Sequence, residues 1–217
     1  MSGHSRSPKL LRGGLVLLDP ISGNMLRIIG LQYNPDTITR SLQIRGAGSE
    51  SGDHIEALRL KGPPVETIKL EAELDATDAL GAAPLSETSL GLHPQLAAIE
   101  ALVHPLSSTL FANNATASAG WLEIAPASAP LTVFVFGPNR IVPVRIIELS
   151  IVEEAFDTAL NPLRAKISLG LRVLSVDDIG FDSKGGGLFM GYLQAKERLA
   201  AQAAGSDFRS LGIPGGI

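Results

Sequence analysis

The strongest constraint on the fold is an unbroken alternation of residue types at positions 163–173. Every odd position in this stretch carries an apolar side chain, and every even position carries a polar side chain or glycine. Because successive side chains of a β-strand point to opposite faces, this pattern predicts a strand with one buried face. The apolar set is Leu163, Ala165, Ile167, Leu169, Leu171 and Val173.

The preceding stretch, residues 143–154, predicts the antiparallel partner of that strand. Within it, the apolar residues Ile147, Leu149 and Ile151 fall on odd positions, and the polar residues Glu148 and Ser150 fall on even ones. A hairpin that pairs odd positions with odd positions places all apolar residues on one face, whereas a slip of one residue would bury the charges. The opposite face is then polar, and the residues singled out on it are Glu148, Arg164, Lys166 and Arg172.

Further strands and two helices follow from the same kind of pattern. We expect a hairpin around the turn at residues 20–24, half-buried strands at residues 37–45 and 65–76, and a strand at residues 131–137. Pro94 and Pro105 bracket a predicted helix of about three turns. A glycine-rich joint at residues 176–187 precedes a C-terminal helix from residue 188, and residues 107–130 predict a long loop with a short strand at 121–124. On strand 37–45 the apolar face is Ile38, Leu42 and Ile44; on strand 65–76 it is Ile68, Leu70, Ala72 and Leu74.

Composition excludes several functional classes. Charged residues make up 18% of the chain against about 25% in an average soluble protein, which favours a surface that is buried in an assembly. The net charge of -4 and the dispersed cations argue against nucleic-acid binding. The chain has no cysteine, which excludes disulfides and thiolate metal sites. The absence of cysteine fits folding in a reducing cytoplasm, where we expect the chain to assemble. The short apolar run near the N-terminus is interrupted by Arg12 and two glycines, so we expect no membrane insertion.

Signals for catalysis are weak, and we expect no enzyme, no cofactor and no metal site. The stretch at residues 180–187 resembles a phosphate loop, but Gly186 stands where that motif needs lysine. The histidines have no metal-binding spacing. Paired aspartates at strand ends are more typical of turns than of calcium or acid–base sites. The residues considered are His4, His54, His93, His104, Asp75, Asp78, Asp177 and Asp178.

Two stretches carry a resemblance to a known family. The first is residues 31–42, with the strand turn Gln32, Tyr33, Asn34 and Pro35; the second is residues 137–173, with a Pro-Val-Arg, Glu, Phe-Asp and Leu-Asn-Pro pattern. In the second, the matching positions are Pro143 to Arg145, Glu153 or Glu154, Phe156 to Asp157, and Leu160 to Pro162. The chain resembles the tube-domain proteins of contractile injection systems, the phage-tail-like particles of bacteria, and especially their small baseplate hub component.

The resemblance implies a mainly β (α+β) fold, an antiparallel β-barrel or two-sheet domain with one flanking helix and a C-terminal helix. It implies a homo-oligomeric, six-fold ring that contacts the inner tube protein, the spike or hub and other baseplate proteins, with residues 32–35 as an assembly turn. Many relatives carry a C-terminal peptidoglycan-binding LysM module. Because this chain ends after a helix and a glycine-rich tail, the expectation is an adaptor between hub and tube in a phage-tail-like particle, without direct cell-wall contact. The polar face of the central hairpin would line the lumen, and the loop at residues 46–64 would reach an adjacent ring.

Two alternatives stay open from the residues alone. One is a self-standing ligand-binding or glycan-binding β domain, and the other is a hydrolase that uses Asp177, Asp178 and a histidine. The expected organisation is a loose N-terminus at residues 1–14, a tube-like β domain at 15–178, and a joint, helix and tail at 179–217.

Overall fold

The computed structural model describes residues 11–46, 59–77, 90–118, 129–203 and 205. Seven strands and four helices lie in these ranges. The strands are β1 (Gly14–Leu18), β2 (Met25–Gly30), β3 (Ile38–Gln43), β4 (Val65–Asp75), β5 (Leu131–Val135), β6 (Ile141–Phe156) and β7 (Pro162–Val173). The helices are α1 (His93–Glu100), α2 (Ser107–Ser118), α3 (Val176–Ile179) and α4 (Lys184–Gln202).

All seven strands belong to one antiparallel sheet with the order β2-β1-β5-β6-β7-β4-β3. The mainly β class is therefore confirmed. The sheet of the described residues is neither two separate sheets nor closed into a barrel, because β2 and β3 end it without pairing with each other. The N-terminal hairpin is also confirmed, and a hydrogen bond from the Asp19 N–H to the Asn24 carbonyl closes its turn.

The core lies on one face of the sheet, and the alternation of β7 and β4 determines which face. The predicted apolar side chains of both strands are buried or nearly so, and Ile167 is 1% exposed. The register pairs Ile68 with Leu171 and Ala72 with Ile167, so that the two apolar sets lie side by side. Helix residues cover them, among them Leu96 and Ile99 of α1 and Phe189 and Tyr192 of α4. We call this the helix face.

The predicted register of the central hairpin is correct beyond position 148 and wrong at Ile147. Leu149 pairs with Leu169 and Ile151 with Ile167, odd with odd as expected. A register shift between Ile146 and Glu148 inserts one extra residue, which is a β-bulge. Ile146 consequently packs against the core, whereas Ile147 is 50% exposed.

One segment that was predicted to be a loop contains a helix. Residues 107–118, part of the predicted loop, form α2, which has no buried residue. The strand expected at residues 121–124 lies outside the described residues. Helix α1 is shorter than predicted: it buries Leu96 and Ile99, while Val103 lies beyond its end and is exposed.

The predicted flexible joint is instead a pair of capped helices. The Ser175 hydroxyl and the Asp178 carboxylate form a reciprocal cap at the start of α3. The Ser183 hydroxyl accepts from the Gly186 N–H at the start of α4. A Cβ on Gly186 would collide with the carbonyl oxygens of Gly180 and Phe181, so the glycine permits close packing at this corner. Helix α4 therefore packs on its own sheet. Within the described ranges, no helix is both long and apolar enough to cross a bilayer.

The facing of β7 can be tested with adjacent substitutions. Ile167→Asp buries an unpaired carboxylate, and we expect a loss of about 4 kcal/mol or more in the free energy of unfolding, enough to prevent folding. Lys166→Ser removes only an exposed ion pair with Glu154 and should change that free energy by less than about 1 kcal/mol. Urea denaturation followed by circular dichroism measures both. Equal tolerance of the two changes would show that the assigned facing is wrong.

Candidate functional site: the charged face and the free edges of the sheet

The sheet face opposite the helices carries ten charged side chains, which we call the charged face. They lie on β4, β6 and β7 and comprise five carboxylates and five cations. Three ion pairs link these strands: Lys69 to Glu148 at 2.9 Å, Arg164 to Asp75 at 2.9 Å, and Lys166 to Glu154 at 3.2 Å. Ion pairs between exposed side chains contribute about 0 to 1 kcal/mol each, so this surface is not needed mainly for stability. The members are Lys69, Glu71, Glu73, Asp75, Arg145, Glu148, Glu154, Arg164, Lys166 and Arg172.

The structure brings all four sequence-predicted polar residues onto this face but pairs them differently. Glu148 was expected to meet the cations of β7, yet it binds Lys69 of β4. The contact passes over Gly170, which stands opposite Glu148 in the ladder. A Cβ at Gly170 would lie 2.8 Å from the Glu148 Cβ, so only glycine leaves room for Glu148 to lean across β7. The bulge at Ile147, the absence of a side chain at Gly170 and the ion pair between Glu148 and Lys69 therefore depend on one another.

Arg172 lies at the far end of the charged face and forms an ion pair with the first turn of α3. Its guanidinium Nη2 donates to the Asp178 Oδ1 at 2.7 Å, and Asp178 is also the carboxylate of the α3 cap. The Asp177 carboxylate accepts from Arg45 at 3.0 Å. Both aspartates of the hydrolase alternative are therefore occupied in structural contacts. Among the residues that the structure describes, no group of three or more His, Asp or Glu side chains could hold a metal ion.

The strand turn at residues 32–35 is fixed by contacts within the chain. The Gln32 amide donates to the Asp75 carbonyl and accepts from the Asp75 N–H, at 2.8 and 2.9 Å. The Asn34 side chain accepts from the Gly13 N–H and donates to the Leu11 carbonyl. Tyr33 is exposed and lines a shallow pocket at the end of the charged face with Asp75 and Arg164. The Thr77 hydroxyl and N–H, followed by Arg164, lower the pKa of Asp75, which keeps this end ionised. An assembly role for the turn stays a prediction.

Strand edges without a partner strand remain at several places in the described part of the chain. Strands β2 and β3 end the sheet, and each pairs on one side only. Strand β6 also has a free edge, because β5 pairs only with Ile141–Val144, while β7 pairs along the rest of β6. Unpaired edges template pairing with another chain. Leu42 and Ile44, expected on a half-buried face, are 46% and 72% exposed because β3 is an edge strand.

A buried carboxylate that sequence reasoning missed fixes α4 beside β3. Glu66 is 4% exposed, and its Oε1 accepts from the Arg40 Nε at 2.8 Å and from the Tyr192 hydroxyl at 2.9 Å. Its Oε2 accepts from the Lys196 Nζ at 2.8 Å. Glu66 occupies an even position of β4, and the other even positions of this strand are buried and apolar. This parity was the sequence signal from which the burial of Glu66 could have been predicted. The cluster joins β3, β4 and α4.

The electrostatics of this cluster favour the ionised carboxylate. Burial by itself would raise the pKa of Glu66, but the hydrogen bonds from Lys196, Arg40 and Tyr192 outweigh it, and the pKa is lowered. Burial and the adjacent Glu66 raise the pKa of Tyr192 to about 12. Glu66 is therefore an anion and Tyr192 a neutral donor at physiological pH.

Gly170→Ala should uncouple the Glu148–Lys69 contact. The added Cβ overlaps Glu148, and we expect a loss of about 1 to 3 kcal/mol in the free energy of unfolding. Gly30→Ala on β2 is the matched strand control, because its Cβ would meet no atom within 4 Å. It should be neutral or slightly stabilising, since alanine restricts the unfolded chain. Equal effects in thermal denaturation would contradict the crowding assigned to Gly170.

The Glu66 cluster predicts acid sensitivity. Because the folded-state pKa of Glu66 lies below its ordinary value of 4.5, its contribution is complete above that pH and is lost as the pH falls through the lower folded value. Glu66→Gln should lower the free energy of unfolding at pH 7 by about 1 to 3 kcal/mol and flatten its dependence on pH below that value. Urea titrations between pH 7 and 3 measure this. Glu71→Gln, on the charged face, is the control and should leave the pH 7 value nearly unchanged.

Comparisons with known proteins add no relative to this picture. No protein-family model matches the chain, and no curated protein matches it significantly. The features of this chain that bear on its function are therefore the charged face, the free edges and the motifs of the sequence.

Proposed function

We propose that this chain is a structural component of a contractile injection system, a ring-forming adaptor that joins the inner tube to the spike or hub at the baseplate. The motif resemblance at residues 31–42 and 137–173 supports the class of particle. The arrangement of edges and faces in the sheet supports the ring. The partners in this proposal are further copies of the chain, the inner tube protein, the spike or hub and other baseplate proteins, assembled in the cytoplasm into a phage-tail-like particle.

The observation that carries the proposal is the pair of free edges on the β3-β4-β7-β6 part of the sheet. Each neighbouring pair of these strands is antiparallel, so β3 and β6 run in opposite directions. When β3 of one copy meets β6 of the next in the same sheet orientation, the junction is antiparallel like every other pair in the sheet. Such a contact joins two different surfaces, and repetition by rotation closes a ring.

The two faces of the sheet determine which side lines the channel. Helices α1 and α4 already cover the helix face. The charged face has no such cover within the described ranges, and it would form the lumen surface. Its equal numbers of acidic and basic side chains create no strong field of one sign, so a charged cargo would meet a hydrated wall with little net attraction.

The edge strand β2 lies outside this ring contact and is available to other baseplate proteins. Its side chains Met25, Leu26 and Ile28 are largely exposed. Apolar side chains on an unpaired edge are the features that bind another strand or a neighbouring subunit. We assign this edge to the contact with the tube or hub layer.

Ring formation is tested on the purified chain by native mass spectrometry and negative-stain electron microscopy. We expect closed rings with a central channel at high protein concentration. Leu42→Lys combined with Ile44→Lys places charges on the β3 edge and should abolish the rings without unfolding the chain. Leu106→Lys, at an exposed apolar position away from the edges, should leave them intact.

The particle assignment needs a second experiment, in the native host. Deletion of this chain should remove intact tube-and-sheath particles and leave free sheath or tube fragments. Normal particles without this chain would contradict an adaptor role. A stable monomer with a ligand-dependent shift in melting temperature would instead favour the ligand-binding domain.

A further inference from the structure

The helix-face side of β3 presents a defined sequence of side chains at the free edge. Ile38, Arg40 and Leu42 stand opposite buried residues of β4 in the ladder, and Ile44 follows directly after the strand. Ile38 is half-buried, whereas Leu42 and Ile44 expose much of their apolar surface. This edge therefore offers one cation followed by two apolar side chains.

The free edge of β6 presents a complementary sequence. Beyond the bulge its helix-face residues are Leu149, Ile151 and Glu153, which stand opposite buried residues of β7. Glu153 is exposed and makes no ion pair with any described residue. The other carboxylates of this segment, Glu148 and Glu154, lie on the charged face, where each has a lysine partner. Read toward the bulge, this edge offers one anion followed by two apolar side chains.

From these two edges we infer the register of the contact between neighbouring copies, which rests on the ring proposed above. Arg40 of one copy stands opposite Glu153 of the next, Leu42 opposite Ile151, and Ile44 opposite Leu149. A shift of two residues in one direction would set Arg40 against Ile151, and in the other direction would set Glu153 against Leu42. Opposite charges and apolar pairs directly across two strands stabilise a sheet, whereas charge against an apolar side chain does not. Of these three registers, only the first pairs Arg40 with a carboxylate and also pairs apolar side chains with each other.

A pocket beside Arg40 receives the glutamate of the neighbouring copy. Arg40, Arg140 and Lys196 line this pocket together with the rings of Phe136 and Tyr192. Arg140 stacks over the Phe136 ring at 5.8 Å and makes no ion pair with a carboxylate in the described ranges. Among the described residues, Glu66 is the one carboxylate that forms ion pairs with these cations, and it is already bonded to Arg40 and Lys196. Three cations thus face one anion, and the neighbouring Glu153 supplies a second.

Cysteine cross-linking tests the register directly, because the chain has no cysteine of its own. Leu42→Cys in one copy and Ile151→Cys in another should form a disulfide under mild oxidation when the two single variants are mixed. Within one chain β4 and β7 separate β3 from β6, which places the two strands roughly 14 Å apart, too far for a disulfide. Leu42→Cys mixed with Val152→Cys is the control, because Val152 points to the opposite face, and this pair should not cross-link.

A charge exchange tests the pocket. Glu153→Lys should weaken self-association about tenfold or more in sedimentation velocity, and addition of Arg140→Glu in the same chain should restore it. Glu71→Lys, which lies on the charged face and on neither β3 nor β6, is the control and should leave association unchanged. Circular dichroism verifies that each variant folds, and the cysteine pair provides the answer if the double variant does not fold.

The outcomes separate this inference from the ring proposal. Cross-linking of the Leu42–Ile151 pair together with rescue by the charge exchange supports the register. Rings that form without either effect would overturn the register and leave the proposed function standing. A chain that stays monomeric and does not cross-link would overturn both.

Discussion

The pairing of β4 with β7 is the contact on which the rest of the structure depends. Both strands alternate over their length, and their ladder brings two apolar sets together under the helices and two charged sets together on the other side. Burial of one face at about 25 cal/mol per Å² of apolar surface specifies the register, because a slip of one residue would place the charges in the core. The remaining strands extend this pair in both directions. The helix face and the charged face are consequences of this one register.

Helix α4 and the edge strand β3 are linked through Glu66, and this link fixes the position of the edge strand. Edge strands have only one neighbour, so their position is poorly held by the ladder alone. Arg40 on β3 reaches Glu66, and Tyr192 and Lys196 bring α4 to the same carboxylate. A buried ion cluster of this kind is weak evidence for net stability. Here it defines the geometry of the edge, because side chains from β3 and α4 converge on one carboxylate. It holds Arg40 in place at the edge.

The strands could be predicted from sequence because their signal is local. Period-2 alternation identified β3, β4, β6 and β7, and parity identified the buried sets of β4 and β7. Ile147 was misassigned because a bulge depends on what the partner strand offers, here Gly170, which no local pattern reveals. Helix α2 lacks charges and an apolar stripe, so its sequence is typical of a loop. The glycines of α4 suggested a flexible joint, because the close packing of Gly186 against the carbonyls of Gly180 and Phe181 is not visible in the sequence. For the site, the polar residues were found but their partners were not, because Lys69 lies two strands away from Glu148.

The bulge at Ile147 also determines where the gene can change length. Because Ile147 is the extra residue, loss of its codon would restore strict alternation from Ile146 to Leu149 and leave every later side chain of β6 on its present face. Loss of any codon from 149 to 153 would instead turn the rest of the strand over and expose its apolar residues. Among single-codon deletions in the part of the gene that encodes β6 from the bulge onward, the fold therefore tolerates loss of codon 147. In-frame variation in the length of the protein is expected at this position.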